Sequence, residues 1–176
     1  MRIISGRFKG RIIKAPKNLP VRPTTDQAKE GLFNILANWY DFEELKVLDV
    51  FAGTGNVGYE FWSRGVAEVT SVDRHFGCIN FIRKQYREME IRGTVRKAPA
   101  HKFLSTASGQ WDIVFMDPPY GMAGLTDLVD LIFERDLISE HGVVILEHPI
   151  QEDYQQVNRF SEARKYGGSI FSFFEK

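Results

Sequence analysis

The feature that most constrains how this chain can fold is an alternation that begins at Lys46. Short apolar runs recur from there on, each followed by a segment with helical periodicity. "KVLDVF" reads as a strand and "NVGYEFWSRG" as a helix that can end at Gly65. "AEVTSVD" and "CINFIRKQYREMEI" repeat the pair, and "GTVRKA" and "AHKFLST" repeat it in shorter form. "WDIVFMD" is a fourth strand, with an unbroken apolar run that suits burial on both faces. "LTDLVDLIFERDLI" reads as a helix and "GVVILEH" as a fifth strand. Strands joined by helices pair in parallel, so the expected fold class is α/β, a doubly wound, Rossmann-like sheet with helices on both faces. The last segment breaks the pattern. "QQVNRFSEARKYGGSIFSFFEK" places two strand-like runs around "YGG", which predicts an antiparallel hairpin at the C-terminal edge of a mostly parallel sheet.

Upstream of Lys46 the organisation differs. "RIISGRFKGRIIK" has two short β runs around "GRFKG", the pattern of a hairpin, and "PKNLPVRP" is a stiff connector. "TTDQAKEGLFNILANWY" predicts a helix over 24–40, opened by a capping box of Thr24 with Gln27. Ala28, Leu32, Ile35, Leu36 and Trp39 form one apolar stripe on it. At 176 residues the chain is expected to be one domain with a small appendage: a basic β-hairpin arm over 1–23 and the main unit over 24–176.

Composition narrows the function classes. The 23 bases and 23 acids cancel, but the balance is uneven. Residues 1–25 carry Arg2, Arg7, Lys9, Arg11, Lys14, Lys17 and Arg22 and no acid, so a +7 arm sits on a −7 body. Such asymmetry is a cue for nucleic-acid contact, and charge alone fits a solvated basic tail equally well. No apolar run approaches ~18 residues, and "MRIISGRFKGRIIK" has no apolar core of a signal peptide, so neither a membrane span nor secretion is expected. The lone Cys78 excludes an intramolecular disulfide, suits a reducing cytoplasm and reads as a small packed hydrophobe. His75, His101, His141 and His148 are not spaced as zinc ligands, and no metal site is expected.

In a doubly wound sheet the ligand lies beyond the carboxyl ends of the strands. "DVFAGTGNVG", residues 49–58, follows the first strand there and satisfies G-x-G-x-x-G, the dinucleotide fingerprint. Its glycines permit a tight turn and close backbone approach for either of two ligand classes. Asp49 in front of them would repel a pyrophosphate and suits a ligand with an ammonium and a sulfonium, as in S-adenosylmethionine (AdoMet). Asp73 ends the second strand, where an acid accepts hydrogen bonds from ribose hydroxyls. That position serves NAD and AdoMet alike, and Asp73 also fits as the N-cap of the next helix.

Asp117-Pro118-Pro119-Tyr120 follows the fourth strand. Pro-Pro enforces a rigid, extended loop. It holds a carboxylate, a prolyl carbonyl and an aromatic face together at a strand tip. Two acceptors can meet the two N–H groups of an exocyclic amine while Tyr120 stacks on the ring, worth roughly 1–3 kcal/mol. Placed off the ring plane, they favour the pyramidal, positively charged nitrogen of a methyl-transfer transition state.

The order "DVFAGTG", "VD", "MDPPY" resembles the class I AdoMet-dependent amino-methyltransferases. "MRIISGRFKGRIIKAP", "RPTTDQAKEGLFNIL", "LDVFAGTGNVGYEFWSRG", "DPPY" and "LEH" together resemble the bacterial small-subunit (16S) ribosomal RNA guanine-N2 methyltransferases, from Arg2 to His148. The resemblance implies methylation of the amino group of one guanine, position 966 in standard small-subunit numbering, in RNA within the small subunit or its assembly intermediate. It implies a cytoplasmic enzyme and a monomer. It places Asp49, Ala52, Gly53, Thr54 and Gly55 at the methionyl end of AdoMet, Asp73 and Arg74 at the ribose, and Ala100 and His101 by the adenine. Asp117, Pro118, Pro119 and Tyr120 would hold the guanine, and Arg22, Pro23, Thr24 and Thr25 would lie over the cofactor pocket or at the RNA entrance. Arg7, Lys9, Arg11 and Lys14 would hold flanking phosphates. In one place the chain departs from the pattern. Relatives carry Asp or Asn before an alanine to bind the adenine amine, and here the chain reads Pro99-Ala100. Glu147 and His148 are expected to serve strand-end packing and hydrogen bonding.

The same four residues fit adenine N6 or cytosine N4, and only the resemblance selects guanine. A dinucleotide-dependent oxidoreductase is opposed by Asp49 and the Pro-Pro loop. A non-catalytic RNA-binding protein would have no need of Asp117 beside Pro-Pro.

Overall fold

The computed structural model describes residues 1–21 and 24–176. A seven-stranded sheet of order β3-β2-β1-β4-β5-β7-β6 forms its centre. The strands are β1 (Lys46–Asp49), β2 (Glu68–Asp73), β3 (Val95–Lys97), β4 (Trp111–Met116), β5 (Ile138–Pro149), β6 (Phe160–Tyr166) and β7 (Ser169–Glu175). The first five pair in parallel, and β7 inserts antiparallel between β5 and β6. The expected doubly wound sheet with an antiparallel C-terminal hairpin is thus the observed one. The chain walks outward from β1 through β2 to β3, then crosses to β4 on the other side of β1. That reversal puts the switch point between β1 and β4.

The helices are α1 (Asp26–Trp39), α2 (Asn56–Ser63), α3 (Phe76–Glu88), α4 (Ala100–Thr106) and α5 (Leu125–Glu134). Strand side chains alternate between two cores, as a period of two requires. Val47, Phe115, Ile145, Phe171 and Phe173 face one side with α1, α2 and α3. Leu48, Val114, Leu146 and Phe174 face the other with α4 and α5.

Local signals hold where the chain offers one partner and shift where it offers two. α2 ends at Arg64, and Gly65 follows it with φ 102°, the expected left-handed stop. α1 opens one residue later than the capping-box reading: Thr25 is the N-cap, its hydroxyl accepting the Ala28 N–H at 3.2 Å. Thr24 is drawn away because its hydroxyl donates to Glu147 at 2.9 Å. The buried face of α1 also turns toward Lys29 and Phe33, leaving Trp39 40% exposed with its ring edge-on to Phe173. β5 begins at Ile138 rather than at Gly142, because Ile138 pairs with Trp111 across a bulge.

The N-terminal hairpin closes through a bridge between Arg2 and Ile12 and the Ile3 N–H to Arg11 carbonyl bond at 3.0 Å. It lies on α2. The Ile4 and Ser5 N–H groups donate to the Glu60 carboxylate at 2.8 and 3.0 Å, and the Arg7 N–H donates to the Ser63 carbonyl at 2.6 Å. Gly6 has φ 82°, and a Cβ on it would sit 1.8 Å from the Ser63 carbonyl oxygen, so only glycine allows this approach. Ile3 and Ile13 join the core shared with α1 and α2.

Candidate active site

The carboxyl ends of β1, β2, β4 and β5 open into a cleft of about 600 Å³. Each wall follows from the local chain. β1 ends at Asp49, and the Ala52 N–H reaches the Val72 carbonyl at 2.9 Å, carrying the glycine loop across the top of β2. The loop then turns tightly: the Gly55 N–H meets the Ala52 carbonyl at 2.6 Å, with Gly55 in the left-handed region at φ 85° as the cap of α2. A Cβ at Gly55 would stand 2.4 Å from the Tyr59 ring. Gly55 therefore shapes the loop from behind, while Ala52, Gly53 and Thr54 line the cleft.

Asp73 ties this loop to β2. Its Oδ2 accepts the Gly53 N–H at 2.8 Å and its Oδ1 the His75 N–H at 2.7 Å. It is not the N-cap of α3; His75 is, its Nδ1 accepting the Cys78 N–H at 3.3 Å. Each Asp73 oxygen keeps a further lone pair for a ligand hydroxyl. Arg74 and His75 line the wall beside it, and Pro99, Ala100 and His101 the wall beyond the end of β3. Pro99 caps α4 with no side-chain hydrogen bond, so this wall offers backbone where the family pattern offers an acid or amide.

Asp49 is 2% exposed. The Gly58 N–H stabilises its charge, but burial and the neighbouring Asp73 push its carboxyl up to about 8. Among the described residues its Oδ1 has no hydrogen-bond partner. A buried acceptor without a donor, facing a cleft, is the complement of a cationic ligand. AdoMet, with its ammonium and sulfonium, fits this test, and a pyrophosphate does not. Cys78 lines the floor, and burial pushes its thiol up to about 11, which leaves it a neutral packing group.

Asp117, Pro118, Pro119 and Tyr120, beyond the end of the neighbouring β4, also line the cleft. Pro118 is buried, and Tyr120 stands 57% exposed at the mouth. The Pro119 carbonyl accepts the Met122 N–H at 3.2 Å, closing the turn.

The structure thus gathers Asp49, Ala52, Gly53, Thr54, Asp73, Arg74, Ala100, His101, Thr24 and the Asp117–Tyr120 turn around one cleft. It does not bring Arg7, Lys9, Arg11 or Lys14 there. Arg7 and Arg11 lie by the far end of α3, against Glu90 and Glu88 at 4.0 and 3.6 Å. Arg22 and Pro23 lie outside the described residues. Glu147 makes the expected strand-end hydrogen bonds. It lines the cleft, with its carboxylate accepting the Thr24 and Ser169 hydroxyls at 2.9 and 2.8 Å. The strand-end rule that selects Asp49 and Asp117 applies to it equally. His148 does pack: its Nε2 and the Ser172 hydroxyl are 2.8 Å apart, and its ring meets Tyr154 edge-on. Asn56 is a further cleft residue that the sequence pattern does not single out; its amide donates to the Thr24 carbonyl at 3.0 Å.

Known proteins resemble this chain in sequence and in fold. YlbH of Bacillus subtilis, whose name assigns it provisionally to the rRNA methyltransferases, is 36% identical over 84% of this chain and 82% of its own length. The ribosomal RNA small subunit methyltransferase D of Buchnera aphidicola is 32% identical over 88% of this chain and 80% of its own length. Among solved structures, YhhF of Escherichia coli, whose name assigns it provisionally to the methyltransferases, superposes with a TM-score of 0.88 at 27% identity, covering 100% of this chain and 97% of that one. A Thermus thermophilus 16S rRNA N2 G1207 methyltransferase, solved with AdoMet and guanosine, superposes with a TM-score of 0.72 at 19% identity over 90% of this chain and 45% of that one, a likeness of fold. The sheet is that of the class I, Rossmann-like methyltransferases. The family described as conserved hypothetical protein 95 matches residues 1–175, and this chain belongs to it.

Proposed function

We propose that this chain transfers the methyl group of AdoMet to the exocyclic N2 of a guanine in 16S rRNA, guanine 966 in standard numbering. We place it in the cytoplasm, acting as a monomer on the small subunit or its assembly intermediate. The observation that carries the reading is that the Asp117–Tyr120 turn and the buried carboxylate of Asp49, whose Oδ1 has no donor among the described residues, line one cleft at the tips of adjacent strands. The names of the relatives support an rRNA substrate.

The residues divide the work by position. Asp49 Oδ1 would take the ammonium or sulfonium, with Ala52, Gly53 and Thr54 along the methionyl part. Asp73 would accept the ribose hydroxyls beside Arg74. Ala100 and His101 would meet the adenine through their backbone. When bound, AdoMet supplies an electrophilic methyl group on a sulfonium. The amine of guanine is a poor nucleophile because its lone pair is delocalised into the ring. Asp117 and the Pro118 carbonyl, the prolyl oxygen not committed to Met122, would accept its two N–H groups and favour pyramidal nitrogen as positive charge develops. Tyr120 would hold the base flat after it leaves its stack. Asp117 can then receive the proton released from nitrogen.

The test offers labelled AdoMet to small subunits that lack the modification, followed by digestion of the RNA to nucleosides. Label is expected in N2-methylguanosine. Label in N6-methyladenosine or N4-methylcytidine would replace the guanine assignment with one of its rivals. Asp117→Ala is expected to lower transfer by about 10²-fold or more while thermal stabilisation by AdoMet persists. Full activity in that variant would remove Asp117 from the chemistry.

A further inference from the structure

The cleft and the hairpin are joined by a flank to which neither has yet given a role. Between residues 83 and 97 the chain carries Arg83, Lys84, Arg87, Arg92, Arg96 and Lys97. The two acids in that stretch, Glu88 and Glu90, are the ones that face Arg11 and Arg7 of the hairpin. On α3, Phe76, Asn80, Arg83 and Arg87 follow one another at i, i+4, i+7 and i+11, and all four are exposed. They therefore form one stripe along about 16 Å of helix.

The stripe starts at the cleft, where Arg74, His75 and Cys78 on either side of Phe76 line the wall. Phe76 is 59% exposed, with the Lys97 ammonium 5.4 Å from its ring centre. Halfway along, Arg83 reaches the Val95 carbonyl at 3.5 Å, and Arg83, Arg87, Gly93 and Val95 surround a shallow cup of about 370 Å³. At the far end the Arg7 and Arg11 guanidinium groups stand 5.1 and 5.8 Å from the Phe8 ring centre. Cations interleaved with aromatic faces suit a single nucleic-acid strand, whose phosphates need the first and whose bases need the second.

We propose that this flank, from Phe76 and Lys97 at the cleft mouth through Arg83 and Arg87 to the hairpin, is the track on which the RNA strand carrying the target base lies. The proposal rests on the reading of the substrate as RNA. It gives the hairpin a route to the cleft, which its own basic side chains do not reach. Phe76 offers a stacking face to a base next to the one drawn into the cleft. Arg83 and Arg87 hold phosphates further along, and Arg11 and Arg7, beside Glu88 and Glu90, place the hairpin at the end of the same surface.

Edge strands also carry bases simply to discourage pairing with another sheet. β6, the opposite edge, supplies the control, because Arg164 and Lys165 are exposed there. The test measures binding to protein-free, in vitro transcribed small-subunit RNA across a series of salt concentrations. The Arg83→Gln/Arg87→Gln variant is expected to flatten the slope of log affinity against log salt by about 1.4–1.8, the yield of two lost phosphate contacts. Arg164→Gln/Lys165→Gln, with the same change in charge, leaves the slope at the wild-type value. Phe76→Ala weakens binding by about tenfold with the slope kept, because stacking releases no counterions. Thermal stabilisation of the Arg83/Arg87 variant by AdoMet stays at the wild-type level, which separates loss of the track from loss of the fold.

Equal slopes in the flank and edge variants would overturn the proposal. So would a flank variant impaired on protein-bearing subunits but not on bare RNA, since that flank would face a protein. The slopes decide the flank whether or not a methyl group is transferred. Wild-type protein that binds the RNA but leaves guanine unmethylated in small subunits lacking the modification strikes the guanine reading alone.

Discussion

Asp49 at the tip of β1 and Glu60 on α2 are both buried acids, 2% and 0% exposed, and the chain treats them in opposite ways. Glu60 is surrounded by donors. Its Oε2 accepts the Ile4 N–H and lies 3.5 Å from the Lys29 ammonium, and its Oε1 accepts the Ser5 N–H and the Arg64 Nε–H at 2.9 Å. Asp49 has the Gly58 N–H and an oxygen with no donor among the described residues. A buried charge matched by the protein's own donors is architecture: Glu60 pins the hairpin to α2 and α1 to both. A buried charge left short of donors stores unfavourable energy that a ligand of opposite charge can release. The cofactor end of the molecule is thus built with a deficit, and the hairpin end without one.

The comparison breaks most visibly at Lys29. This lysine is almost wholly buried, and its ammonium also donates to Asn56 at 2.9 Å. Burial lowers its pKa, with Glu60 acting in the other direction. Lys29→Met leaves Glu60 buried beside a neutral neighbour, and removing one partner of such a pair costs about 3–5 kcal/mol. Urea unfolding measures it; a loss below about 1 kcal/mol would mean that the pair carries no architectural weight.

Asp49→Asn is expected to act in the other direction. The folded-state value of about 8 lies above the unfolded value of 3.8. Between the two, the folded chain keeps a proton that the unfolded chain has released, so stability of the free protein falls as pH rises through that window. Asparagine has nothing to ionise and abolishes the decline. Free Asp49→Asn protein should therefore exceed wild type near pH 8 by something on the order of 5 kcal/mol, since each tenfold change in proton affinity is worth about 1.4 kcal/mol and the gap from 3.8 to about 8 holds about four of them. It should also lose most of its stabilisation by AdoMet. Chemical unfolding at a series of pH values checks the first and thermal shift the second. Parallel pH profiles for the two proteins would show that Asp49 carries no deficit.

Much of this is legible in the sequence. The β–α alternation, the closing hairpin and the strand-tip acids follow from periodicity and from the rule that ligands sit at strand ends, and both depend on local pattern. Asp49, Asp73 and Asp117 emerge that way. What escapes depends on contacts distant in sequence. Glu60 and Lys29 look like solvent-facing positions of their helices, since nothing nearby reveals that a hairpin 55 residues upstream of the first and 27 upstream of the second reaches both. Thr24 reads as a cap because Gln27 lies at the right spacing, whereas Glu147 on β5 competes for its hydroxyl. Arg7 and Arg11 are legible as charge but not as position.

The smallest effect on the fold, and the sharpest on function, is expected from those arginines. The side chains of Arg7 and Arg11 are 68% and 35% exposed, and their acid partners stand 4.0 and 3.6 Å away. Pairs so exposed contribute about 0–1 kcal/mol, because solvent screens them and long side chains lose entropy in forming them. The hairpin is held instead by backbone N–H groups on Glu60 and Ser63, which neutralising an arginine leaves intact. Arg7→Gln, Lys9→Gln and Arg11→Gln should each leave the urea midpoint nearly unchanged, and each should flatten the salt slope of RNA binding by about 1. An unchanged slope would show that the arm does not touch phosphate. A midpoint that fell with the slope would show that the arm's charges also hold its seat, and the division between an end built for fit and an end built for a ligand would then lie elsewhere in the molecule.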